Sequence, residues 1–176
     1  MVSISKGEPI LRGESEKQEH LLYDKWVLWA HLPHDTDWSL RSYNKIIELN
    51  SVEKVISCIN SVPPAMVKNC MLFLMRSGIN PTWEDPKNIN GGCFSFKVSN
   101  LDVPRTWQEL SYLLTGETLT NNYKLQQKIT GITISPKKSF CIVKVWTETL
   151  EHQNPQELQL PHGMTAKGCI FKKHKN

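Results

Sequence analysis

Two tryptophans in this sequence stand where a hydrophobic core gives no evident reason for them. Trp38 and Trp83 lie in polar loops, beside Asp37 and Glu84 respectively. Each indole either packs back beneath its loop or faces a flat ligand, and the pattern alone leaves both readings open. An aromatic face attracts a cation above it by roughly 0.5–2 kcal/mol, and a base stacked on an aromatic ring contributes about 1–3 kcal/mol. A neighbouring carboxylate accepts hydrogen bonds from N–H groups at a ring edge, which a guanine presents side by side. Between Gly131 and Trp146 there is no acidic residue, whereas Lys137, Lys138 and Lys144 are present; from Met164 onward Lys167, Lys172, Lys173 and Lys175 again have no acidic company. Two such segments close together make a positive field suited to phosphate, although taken alone they read equally well as solvated loops and a basic tail. The combination suits a planar, cationic, phosphorylated ligand. A methylated guanine brings that charge, and a plain guanine stacks without it.

Other chemistries fit less well. Cys58, Cys70, Cys93, Cys141 and Cys169 are odd in number and include no CxxC pair, which favours separate reduced thiols in a cytosolic or nuclear protein over disulfides or a zinc knuckle. His31 and His34 flank Pro33 with only Asp35 and Asp37 nearby, a poor metal set, so neither metal nor cofactor is expected. Glu84 and Asp85 are adjacent, and an extended backbone points neighbours to opposite faces rather than pairing them as acid and base. There is no GxxxxGK loop, and Gly91-Gly92 reads as a tight turn. The expectation is a binding protein, not an enzyme. No run approaches the roughly 18 apolar residues of a spanning helix, and the first residues carry no apolar leader, so no membrane association is expected.

The elements that must position these residues follow from periodicity. At 176 residues, with 39% hydrophobic and 22% charged residues and a net charge of +4, the chain reads as one domain. Residues 1–19 are polar and glycine- and proline-punctuated, an expected flexible arm. Lys25–Ala30 reads as a strand with Trp26 and Leu28 on one side and Val27 and Trp29 on the other. An apolar pattern resumes over Tyr43–Leu49. A helix follows, capped by Asn50 or Ser51, with Val52, Val55, Ile56 and Ile59 as its apolar stripe and Pro63-Pro64 as its end. Met71–Arg76 reads as a buried strand, Gly78 as a turn, Pro81–Pro86 as an extended loop stiffened by proline, and Cys93–Val98 as a strand. Asp102, Pro104 and the face formed by Trp107, Leu110, Leu113 and Leu114 predict the clearest helix, stopped at Gly116. Ile129–Ile134 and Phe140–Trp146 form a strand pair around a Ser135–Ser139 turn, and Gly168–Phe171 is at best a short closing strand. The predicted class is α+β, with helices on one face of a mainly antiparallel sheet.

Three stretches resemble the eukaryotic translation initiation factor 4E family of messenger-RNA cap-binding proteins. His20–Trp29 resembles its opening histidine and WxLW strand. Gly78–Gly92, reading GINPTWEDPKNINGG, resembles its GIxPxWED…N…GG loop, and Leu101–Glu117 its second long helix with a terminal Gly-Glu. The resemblance covers about His20 to Thr147 and implies a single cap-binding domain over 20–176, its part after about residue 147 shortened. It implies a curved sheet with helices on the convex face and the ligand slot on the concave side. Carried over by position, it implies that Trp38 and Trp83 sandwich 7-methylguanine, that Glu84 takes the base's N1 and N2 hydrogens, and that Trp146 lies against the methyl group. Lys137 falls near the triphosphate; Ser139, Ile142 and Cys93 stand where other basic family residues would be, and Lys138 and Lys144 are candidate substitutes.

For partners, the resemblance implies capped messenger RNA and an initiation factor 4G-like adaptor on the helical face, with the protein otherwise monomeric. His20 and Val52 keep the family pattern there. Ile56 replaces a tryptophan and Gln108 a leucine, which predicts weak adaptor binding or a co-diverged partner. Two rival readings stay on the table: a nucleotide- or RNA-binding module without cap selectivity, and a decoy that presents only its helical face.

Overall fold

The computed structural model describes residues 19–175, so the arm expected over 1–19 lies outside the described residues but for Glu19. Seven strands make up the sheet: β1 (Leu21–His31), β2 (Tyr43–Ser51), β3 (Met71–Arg76), β4 (Gly92–Ser99), β5 (Ile129–Pro136), β6 (Phe140–Thr147) and β7 (Ile170–Lys173). Their spatial order is β2-β1-β3-β5-β6-β4-β7, and every pairing is antiparallel. The α+β class and the antiparallel sheet are as the sequence predicts.

Side-chain alternation divides the sheet into two unlike faces. Trp26 and Leu28 of β1, Leu72 and Leu74 of β3, Phe94 and Phe96 of β4 and Val143 and Val145 of β6 enter the main core, which the four α-helices of the described residues also join. These are α1 (Val52–Ser61), α2 (Pro64–Asn69), α3 (Val103–Thr115) and α4 (Tyr123–Lys128). The opposite face carries a smaller apolar cluster of Phe73, Met75, Ile79, Cys93 and Trp146, with Trp29 and Tyr43 against it. No described helix is long and apolar enough to cross a membrane.

Helix α1 starts as expected. The Ser51 hydroxyl accepts from the Lys54 amide at 3.4 Å, and Glu53 lies in the first turn, where its charge suits the helix dipole. Its apolar stripe is split: Val55 and Ile59 are buried, whereas Val52 and Ile56 remain exposed. Pro63-Pro64 does not simply end the helix. Pro64 opens α2, because a missing N–H costs nothing at a helix's first position. Asp102 precedes α3 but makes no cap bond, its carboxylate being held by the Ser99 hydroxyl (2.7 Å) and His162 (3.0 Å). The missing cap is worth about 1 kcal/mol. Burial of Trp107, Leu110 and Leu114, each worth roughly 1.5–3 kcal/mol, outweighs it.

The segment read as extended, Pro81–Pro86, is instead a run of turns. The Asn88 and Ile89 amides both donate to Asp85 O, at 2.8 and 2.9 Å, and the Gly91 amide donates to Asn88 O at 2.8 Å. Proline fixes its own φ and disfavours helical backbone in the residue before it, but Thr82, Trp83 and Glu84 stay free to turn. At the loop's end, a Cβ on Gly91 would lie 1.8 Å from Thr147 O, so only glycine lets β4 approach β6 there.

Candidate functional site

Trp38 is delivered by the loop after β1. Its ring is stacked on His31 with centroids 4.2 Å apart and planes 4° from parallel. His31 is itself buried at the end of β1, and its Nε2 lies 2.9 Å from Asp37 O. A carbonyl can only accept, so Nε2 carries the proton. Asp37 accepts from the Ser39 amide (2.8 Å) and hydroxyl (2.9 Å), bonds that hold its carboxyl below the usual range and pin the loop on both sides of the indole. One face of Trp38 is thus covered by His31, yet the residue is 58% exposed. It does not pack back beneath its loop.

Trp83 and Glu84 come from the turn-rich loop between β3 and β4. Their display depends on residues pointing the other way. Asp85 is buried and accepts from the Asn80 amide and the Lys87 amide, both at 2.9 Å. Asn88 is fully buried; its Nδ2 donates to Asn80 O (3.2 Å) and Thr82 O (2.8 Å), and its Oδ1 accepts from the Thr130 hydroxyl of β5 (2.8 Å). With Asp85 and Asn88 turned inward, Trp83 is left 46% exposed and Glu84 exposed beside it. Glu84 and Asp85 do fall on opposite sides, as the sequence predicts, though through turn geometry.

A chain of ring contacts runs from beneath Trp38 across the sheet. Tyr43 meets His31 edge-on at 5.2 Å and Phe73 at 5.3 Å. Burial raises the Tyr43 hydroxyl's pKa, and the negative charge of Glu84 raises it further. Among the described residues no ring contact joins Trp38 to Trp83 themselves. His31 and Tyr43 went unrecognised as site residues from sequence. The one available signal was that His31 continues the alternation of β1.

Trp146 lies on the same sheet face, within the Phe73–Met75–Cys93 cluster, and is only 6% exposed. Its uncovered side is taken by His174, just beyond β7, with ring centroids 4.6 Å apart. Lys144 is two residues away on β6 and shares that face, as the alternation predicts. Lys137 and Lys138 are exposed in the β5–β6 turn; Lys137 pairs with Phe140, four residues and roughly 13 Å from Lys144 at about 3.3 Å per residue. Cys93 pairs directly with Trp146, and Ile142 with Ser135.

The other sheet face carries the residues expected to meet a partner. His20 donates its amide to Glu53 (3.0 Å), and its Nδ1 lies 2.6 Å from the same carboxylate, which is held at about 2. The Val52 amide donates to His20 O at 2.9 Å. Val52 and Ile56, with Leu22, Val55, Tyr112, Thr115 and Gly116, line a groove of about 340 Å³. Gln108 is not in that groove. It sits in a neighbouring hollow and donates to Asn60 Oδ1 at 2.7 Å, the atom that Tyr112 also bonds at 3.0 Å.

The family model described as Eukaryotic initiation factor 4E matches residues 21–168. The chain is 30% identical over 149 residues to Eukaryotic translation initiation factor 4E-2 of Schizosaccharomyces pombe, covering 78% of this chain and 58% of that protein. It is 29% identical over 157 residues to Eukaryotic translation initiation factor NCBP of Triticum aestivum, covering 81% and 66%. The chain thus spans less than two thirds of the length of either relative. Among solved structures, it resembles a schistosome eIF4E complexed with m7GpppG and 4E-BP (TM-score 0.68, 27% identity, 79% of this chain and 76% of that one). It also resembles Ascaris suum eIF4E-3 with m7G cap (TM-score 0.66, 26% identity, 76% and 77%).

Proposed function

Because the chain belongs to the eukaryotic initiation factor 4E family, we propose that it binds the 7-methylguanosine cap of messenger RNA and acts in, or modulates, cap-dependent translation initiation. The observation that carries this reading is the pair of open indoles. Trp26, Trp107 and Trp146 are buried, whereas Trp38 and Trp83 are kept in water at loops that dedicated hydrogen bonds hold in shape. Holding so much apolar surface open is unfavourable by roughly 25 cal/mol per Å², which a stacked ligand would recover. In this reading the cationic base lies against Trp38 on the face opposite His31 and against Trp83, and Glu84 receives the N1 and N2 hydrogens. Trp146 stands toward the methyl group. Lys144, Lys137 and Lys138 supply charge to the phosphates.

The helical side supports a protein partner. The Val52–Ile56 groove is apolar and open, and the schistosome neighbour was crystallised with 4E-BP. With Ile56 at the groove and Gln108 tied to Asn60 outside it, a standard adaptor helix binds weakly here or a co-diverged partner takes its place. Nanomolar capture of a standard adaptor peptide would refute that part.

The test of cap binding is a tryptophan-fluorescence titration with 7-methyl-GTP and GTP. Trp38→Ala and Trp83→Ala should each nearly abolish binding while the domain stays folded, and Glu84→Gln should weaken it less than either. Equal affinity for the two nucleotides would favour a nucleotide-binding module without cap selectivity.

A further inference from the structure

We infer that His174 is a wall of the base slot: lying across β4 onto Trp146, it sets how large a substituent on the base's N7 the slot accepts. This rests on the cap-binding reading above and adds a residue and a selectivity to it.

The path of the side chain shows how it reaches Trp146. β7 pairs with β4 in the register Gly92 to Lys173 and Cys93 to Lys172, and the His174 amide then donates to Gly91 O at 3.0 Å. Trp146 lies one strand further on, paired with Cys93. A side chain just beyond β7 can touch it only by crossing the line of β4, where Gly91, immediately before β4, has no side chain and Cys93 has a small one. The imidazole crosses this short side chain and meets the indole at 4.6 Å with planes 34° apart.

That contact leaves Trp146 almost no open surface. A methyl group needs little room beside an indole edge, whereas a bulkier group would run into the His174 ring. The imidazole is also electrically suited to a cationic base. Burial comes first and Lys144 of β6 second in pushing its pKa down to about 4, so it is neutral near pH 7. The other ionisable neighbours on this face are Lys172 of β7 and the Cys93 thiol of β4. The His174 Nε2 and Trp146 Nε1 atoms are both buried without a hydrogen-bond partner among the described residues. The contact is therefore one of ring packing and not of a polar bridge.

The experiment measures the affinities of 7-methyl-GTP and 7-benzyl-GTP for the wild-type protein, His174→Ala and His174→Phe. The wild type should favour the methyl compound. His174→Ala should shrink that preference at least tenfold by opening space beside Trp146, and His174→Phe, which refills the space, should restore it. A preference unchanged in His174→Ala overturns the inference alone. So does tighter 7-methyl-GTP binding by His174→Ala, because His174 would then be a cover that ligand displaces. No 7-methyl-GTP binding by the wild type overturns the cap-binding reading and this inference with it.

Discussion

Removing the Asn88 side chain should dismantle the loop that presents Trp83 and Glu84. Asn88→Ala deletes three hydrogen bonds, to Asn80 O, Thr82 O and Thr130 Oγ1, from a fully buried position. Each such bond is worth about 0.5–1.5 kcal/mol net, and the groups left unpaired add part of their desolvation penalty, so the loss is about 2–4 kcal/mol. Two of the three bonds are internal to the loop, so much of that loss falls on the loop's own closed state. The apparent affinity falls in proportion to the competent fraction, and 7-methyl-GTP binding should weaken by about tenfold or more. Thr130→Val removes only the bond that anchors the loop to β5 and should cost about 1 kcal/mol with little loss of binding. Urea unfolding and the fluorescence titration, run on both variants, read the two effects separately. An unchanged urea midpoint in Asn88→Ala would refute the bond accounting. A lowered midpoint with undiminished affinity would refute the idea that Asn88 organises the display.

Added salt should weaken 7-methyl-GTP binding more than binding of 7-methylguanosine, because only the phosphates meet the lysines through screened charge; equal salt slopes in the two titrations would remove Lys144, Lys137 and Lys138 from the site. Acid should loosen the His174 contact. Its folded-state pKa, about 4, lies below the ordinary value of about 6.5, so the unfolded chain binds the proton more readily. The stabilisation is fully present above about pH 6.5 and is lost as pH falls through the interval down to about 4. A pH titration of indole fluorescence should show a transition near 4 that His174→Phe lacks.

Much of this protein was legible in the chain itself. Alternation placed Trp26 and Leu28 opposite Trp29, and Lys144 with Trp146, because in a strand the side-chain period is two whatever surrounds it. Trp38 and Trp83 announced themselves as indoles in polar company, and the structure leaves both open. Where propensity and packing compete, the sequence was a poorer guide. Pro64 could end one helix or begin another, and whether Val52 and Ile56 are buried depends on what packs beside α1. The turns of the Trp83 loop follow from Asp85 and Asn88 reaching amides and carbonyls, and Asn88 also needs Thr130, 42 residues away, to be brought alongside. His31 beneath Trp38 and His174 upon Trp146 belong to the same class. The first depends on how the loop after β1 folds back over the strand end and the second on strand order and register, and a linear sequence carries no signal for either contact until the fold has closed.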